Sequence, residues 1–170
     1  TTPRGHLSAC LYSLRLAKPS MRDYLSPQHA TGNSMSTLSE QEALAFIMVT
    51  MAAADTTLSE RELARIGNTV DTLPIFDGFT RDDLVETANR CSGILNEPSG
   101  LDQILGMVKA SLPERLYDTA YAVAVEIASA DLHAEQEELR FLQILRDELE
   151  LDNLVSAAIE RSARARFRLP

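Results

Sequence analysis

Residues 43–63 read ALAFIMVTMAAADTTLSEREL, and this stretch decides the fold. Up to Ala54 it holds one polar side chain, Thr50. A segment apolar nearly all round suits a helix with neighbours on most sides, the middle of a bundle. The run stops at Asp55. Just beyond it, Ser59 and Glu62 have the Ser-x-x-Glu spacing of a capping box, in which hydroxyl and carboxylate satisfy orphan N–H groups at a helix start. Leu63, Ile66, Val70 and Leu73 then recur at helical spacing. The stretch therefore reads as a buried helix, a tight turn and an amphipathic helix.

The same sequence of events recurs at an offset of 76 residues. Residues 125–139 read VEIASADLHAEQEEL, against VTMAAADTTLSEREL at 49–63. Val, Ala, Ala, Asp, Glu and Leu coincide, and Asp131 and Glu138 answer Asp55 and Glu62. Two helix–turn–helix units, each with one Asp at its turn, predict a duplicated, pseudo-symmetric bundle. The second buried helix, Tyr121–Ala130, is apolar apart from Glu126 and Ser129. Leu139, Leu142, Leu145 and Leu149 form the stripe of the helix that follows.

Further capping signals divide the rest. Ser39 with Glu42 and Ser111 with Glu114 fit the capping box, and Thr80 with Asp83 and Ser99 with Asp102 are weaker versions. Pro113 suits an early helical position, and Asp152 suits the cap of a last helix. Long alternating Val, Ile and Thr runs are absent, so strands have little support. The spacing predicts helices at 40–54, 60–73, 81–96, 100–110, 113–130, 136–149 and 153–165, an all-α, single-domain bundle.

Length and charge agree with one soluble domain. A chain of 170 residues buries roughly 70% of its unfolded surface and needs no staple to fold. Two cysteines, Cys10 and Cys91, make neither a disulfide framework nor a zinc site by themselves. No run approaches about 18 apolar residues, so no transmembrane segment is expected. The net charge of −9 speaks against binding nucleic-acid phosphates. Its distribution is uneven. Residues 1–34 carry +3, the last ten carry +4, and residues 35–160 hold eight basic against twenty-four acidic side chains.

The four carboxylates at the two turns are the candidate site. An Asp at the end of an apolar helix faces the negative end of the helix dipole, which costs up to about 1 kcal/mol when exposed. One account is structural: each Asp takes backbone N–H groups in an Asx-turn, and Glu62 and Glu138 serve as caps. The other is chemical. Each Asp and Glu, seven residues apart across a turn, point into one oxygen-lined site for Ca²⁺, Mg²⁺ or Mn²⁺, with free carbonyls of the helix end as further ligands. Two carboxylates about 4 Å apart repel by about 4 kcal/mol at an effective dielectric of about 20, so convergence wants a counter-charge. A cation supplies one, as does Arg61, Arg140 or the basic tail. Glu126, alone in its helix, reads either as an accessory acidic ligand or as a buried carboxylate with a raised pKa. His133 is an accessory candidate at the second turn.

With these residues in view the chain resembles the tellurite-resistance TerB-like proteins, which also include the N-terminal domain of the DjlA co-chaperones. Their mark is a pair of units reading roughly Ala-Asp-Gly-x-Ile-x-x-x-Glu. Here it falls on Ala54, Asp55, Leu58 and Glu62, then on Ala130, Asp131, Ala134 and Glu138. The resemblance covers about residues 40–150. It implies an all-helical bundle whose acidic positions bind a divalent metal, and a binding or scaffolding role in stress-response complexes associated with the membrane. The family's glycine is Thr56 and Leu132 here. Glycine permits positive φ and close backbone approach, so the fold carries over better than the metal site. The alternative role is a metal-independent protein–protein interaction domain of the co-chaperone type.

Other chemistry lacks its residues. None of His6, His29 or His133 follows a Glu at the spacing of a di-iron bundle. The turns lack the middle ligands of an EF-hand, and no phosphate loop or nucleophile elbow occurs. Cys91, inside an amphipathic helix, reads as a small core residue. The expectation is no enzyme, protein partners, and a cytoplasmic place with peripheral membrane association open. The oligomeric state is open too.

The two ends remain. Arg161, Arg164, Arg166 and Arg168 extend the last helix as an interaction tail; they either complement its dipole or contact anionic lipid, at about 1 kcal/mol per residue near the surface. Residues 1–34 have no clear period. They read as an upstream extension with the functional start at Met35, as an arm packing through Leu11, Leu14, Leu16, Met21 and Tyr24, or as a targeting leader. The TerB-like domain is expected over 35–170.

Overall fold

The computed structural model describes residues 38–54, 60–129 and 136–168, with the backbone alone for 60–62. Seven α-helices fill them: α1 (Glu40–Ala52), α2 (Glu60–Thr72), α3 (Arg81–Leu95), α4 (Gly100–Ser111), α5 (Tyr117–Ser129), α6 (Gln136–Glu148) and α7 (Asn153–Arg166). Single 3₁₀ turns at Pro74–Phe76 and Glu114–Leu116 precede α3 and α5. No strand occurs among the described residues. The all-α expectation holds, with helix ends within a few residues of the predicted bounds.

The two apolar helices are the centre. Every residue of α1 from Ala43 to Ala52 is buried. Thr50, its polar exception, donates its hydroxyl to the Phe46 carbonyl at 2.7 Å, so no orphan is buried with it. α1 packs against α2, α3, α4 and α5, and α5 packs against α1, α2, α6 and α7. α5 buries Ala120, Tyr121, Val123, Ala124, Val125, Ile127 and Ala128. The remaining helices each present one stripe to this pair. α3 buries Leu84, Thr87, Ala88, Cys91 and Leu95. α7 buries only Ser156 and Ala163, small residues.

Caps behave as their side chains dictate, with two corrections. Ser39 and Glu42 form the reciprocal box: Glu42 N–H donates to Ser39 Oγ at 3.1 Å, and Ser39 N–H to Glu42 Oε2 at 2.7 Å. Thr80 with Asp83 does the same, and Asp152 Oδ1 takes the N–H groups of Leu154 and Val155. Ser111, by contrast, is the last residue of α4, and its hydroxyl accepts from Leu38 N–H at 3.2 Å. A 3₁₀ turn with Pro113 as its cap occupies the place of the expected Ser111–Glu114 box. Ser99 makes no side-chain cap bond either, because it sits at φ 62°. The reason lies next door. A Cβ on Gly100 would stand 2.0 Å from the Ile94 carbonyl oxygen, so α4 starts where the chain has folded back onto α3.

A third correction concerns α6. Leu142, Leu145 and Leu149 are buried as the stripe predicts, but Leu139 is 50% exposed. At the other end, Glu150 adopts φ 53°, Leu151 N–H bonds the Arg146 carbonyl and Glu150 N–H that of Asp147, a Schellman ending without glycine.

Candidate functional site

The predicted acidic site falls largely outside the description. Asp55, Asp131 and His133 lie outside the described residues, as does Ser59 of the expected second capping box, and the Glu62 side chain is likewise not described. What is described is their setting. Glu62 is the third residue of α2 and Glu138 the third of α6, both thirteen-residue helices. α1 and α5, each also thirteen residues, lead into the two junctions and pack on one another. Glu138 is half-buried, with Glu137 beside it in the first turn of α6, where a helix N-terminus favours negative charge. Among the described residues no three His, Cys, Asp or Glu gather closely enough to hold a metal ion.

Glu126 is not the isolated buried carboxylate. Its side chain retains 29% exposure and accepts from Arg166 Nη2. Sequence left it alone because its partner is 40 residues away on α7. The tail is accordingly engaged within the chain: Arg166 pairs with Glu126 and also stands over the Phe167 ring at 5.8 Å, and Arg164 pairs with Glu160 at 3.3 Å. Arg161 and Arg168 are exposed.

Two further features escaped sequence reasoning. On one flank Arg90 of α3 binds Glu42 of α1 at 2.6 Å and lies 5.3 Å from the Phe46 ring centre, with its buried Nε without a hydrogen-bond partner. Burial alone would raise the Glu42 carboxyl; the bonds from Ser39 and Arg90 outweigh it and hold the group below its ordinary value. Next to Arg90 on α3, Cys91 is fully buried against α1 as expected, near Thr50 and the Phe46 carbonyl, and desolvation pushes its thiol up to about 12. That is an inert thiol.

The second feature is a groove of about 520 Å³ between α5, α6 and α7. Val125, Ala128 and Leu142 supply its apolar floor, with the exposed Leu139 and the half-buried Phe167 at its edge. Polar groups converge on one wall. Tyr121 donates its hydroxyl to Glu160 Oε1 at 2.9 Å, and Arg146, Gln143 and Arg164 stand nearby. Burial, then the bond to the Glu160 carboxylate, raises the Tyr121 phenol above its ordinary value, so it stays a donor. The only sequence trace of this groove was the leucine stripe of α6, and that pattern pointed Leu139 inward.

Residues 41–161 match the family described as tellurite resistance protein TerB, so the chain belongs to it. No curated protein and no solved structure matches. No described helix is long and apolar enough to cross a membrane.

Proposed function

We propose that this member of the tellurite-resistance TerB family is a non-catalytic binding or scaffolding module of a stress response, acting in the cytoplasm at or near the membrane. Its two acidic turns, Asp55 with Glu62 and Asp131 with Glu138, each hold a divalent cation. The observation that carries the reading is the matched station of Glu62 and Glu138. Each stands third in a thirteen-residue helix, after a junction that bears one Asp and is entered from a buried helix.

The donor set fits a hard cation. Carboxylates and helix-end carbonyls are oxygen ligands, which suit Ca²⁺, Mg²⁺ or Mn²⁺ rather than a thiolate-seeking ion. A bound cation would offset the repulsion of paired carboxylates and the unfavourable placement of each Asp at a helix end. The protein's share is to hold the two helices of each unit against the core.

A thermal-shift titration tests this. An ion at 100 times its dissociation constant stabilises a protein by about 2.7 kcal/mol, or roughly 5–10 °C for a domain of this size. The reading expects such a shift with at least one of the three ions, abolished in the Asp55→Asn/Asp131→Asn variant. No shift with any ion, or the same shift in the variant, rejects the cation. A metal-independent interaction domain of the co-chaperone type then remains, a reading favoured by the groove on α5, α6 and α7.

A further inference from the structure

We propose that the groove between α5, α6 and α7 docks an amphipathic helical segment of another protein, one that offers a large apolar side chain flanked by carboxylates. The inference rests on the binding-module reading of the chain but not on the cation at its turns.

The shape comes from side-chain size. Val125 and Ala128 on α5 are short and lie buried at the bottom of a groove between α6 and α7, whose open apolar surface is Leu139 and the half-buried Phe167. The opening is about 520 Å³, inside the roughly 300–1,000 Å³ that ligand pockets take. Leu139 stands at its edge with half of its surface in water, although its position in the leucine stripe is one that packing normally covers. An apolar side chain seated between Leu139 and Phe167 would cover it. Grooves of this kind between helices accept a further helix through anchors spaced i, i+3, i+7.

Charge selects among the occupants. The body is acidic, yet the groove lining sets Arg146 and Arg164 against one carboxylate, Glu160. Arg146 is paired beside the groove with the exposed Asp147, and Arg161 and Arg168 are exposed on the same terminal stretch as Arg164. Arg164 is 71% exposed, so its pair with Glu160 contributes little and leaves donors for a second carboxylate. The chain's own residues 1–34, with four basic side chains and Asp23 alone, would meet like charge here. A lipid surface offers the right charge but is flat, and the floor lies between two helices. An acidic helix satisfies both shape and sign.

The test uses the full chain and two fluorescent synthetic helices. Both carry Leu at i, i+3 and i+7; one is flanked by Glu and the other by Lys. The proposal expects the Glu peptide to bind and the Lys peptide to fail. It expects at least about tenfold weaker binding in Leu139→Asp and in Arg164→Glu, with Val85→Asp, an exposed residue on α3, unchanged. Because Leu139 and Arg164 are exposed, both variants should keep their unfolding midpoints, and Arg164→Glu, on a helix outside the two turn units, should keep any shift with divalent cation. A retained cation response with no peptide binding therefore refutes the groove alone. Equal binding of both peptides, or binding indifferent to Leu139→Asp and Arg164→Glu, overturns the proposal. So does self-association of the free chain abolished by Leu139→Asp, which gives the groove to a second copy. Sedimentation with phosphatidylglycerol vesicles that needs Arg161 and Arg168 but not Leu139, without peptide binding, gives the basic end to lipid instead.

Discussion

Arg166, the final residue of α7, pairs with Glu126 of α5. By sequence the two had separate roles, Arg166 as part of an interaction tail and Glu126 as an accessory acidic ligand or a buried carboxylate. Together they fasten the last helix to the centre of the bundle, where α7 contributes only Ser156 and Ala163 to the buried surface. Glu160, accepting from Tyr121 on the same helix pair, makes a second fastening.

The Arg166–Glu126 pair is half in water, so its worth is small. Arg166→Ala and Glu126→Gln should each lower stability by less than about 1 kcal/mol in urea unfolding, and by less still in high salt. The exchange Glu126→Arg with Arg166→Glu should recover most of the loss. A coupling well above that scale would show that α7 depends on the pair rather than on packing.

Glu42 predicts the acid limb of stability. Its folded pKa is lowered from an ordinary 4.5, so its contribution is complete above that value and is lost as pH falls through the folded value. Asp83, lowered from 3.8 by the Thr80 hydroxyl and backbone N–H, acts in the same sense. Glu42→Gln should cost about 1 kcal/mol at neutral pH by stranding Arg90 over Phe46. Below the ordinary carboxylate range the variant and the parent should converge, as urea midpoints measured against pH will show.

Gly100 is held by contact. An added Cβ would stand 2.0 Å from the Ile94 carbonyl oxygen and 2.9 Å from Leu95 Cα, both backbone atoms. Gly100→Ala should destabilise by about 1–3 kcal/mol, although alanine is the better helix former. Gly106, with nothing within 4 Å of its Cβ position, should gain up to about 1 kcal/mol from the same change. Thermal unfolding of the two variants separates contact from propensity by sign.

Cys91 predicts chemical silence. With its thiol pushed up to about 12 and its side chain fully buried, it should resist a thiol reagent in native buffer and react once the chain is unfolded in urea. A Cys10→Ser background isolates the signal. Fast labelling without denaturant would contradict the packing of α3 on α1.

Local chemistry was legible and distant chemistry was not. Ser39 with Glu42, Thr80 with Asp83, and Asp152 cap helices three residues or fewer away, and their letters sufficed. The run 43–54 announced a buried helix because no face of it is polar. Ser99 and Ser111 misled for one reason: each hydroxyl's fate depends on a chain segment folded against it, α3 in one case and Leu38 in the other. Arg90 on Glu42, Tyr121 on Glu160 and Arg166 on Glu126 join residues 39 to 48 positions apart, and no periodicity encodes them. Leu139 obeys its period yet faces an opening, since a stripe says which side of a helix turns inward but not whether a neighbour fills the space.

Counting bound ions tests the central claim most directly. Calorimetric titration of the full chain with Ca²⁺, Mg²⁺ and Mn²⁺ should give two equivalents of at least one ion, because two turns carry the same Asp and Glu. Asp55→Asn and Asp131→Asn should each leave one equivalent, and the double variant none. Absence of binding for all three ions, or two equivalents surviving in the double variant, would contradict the account.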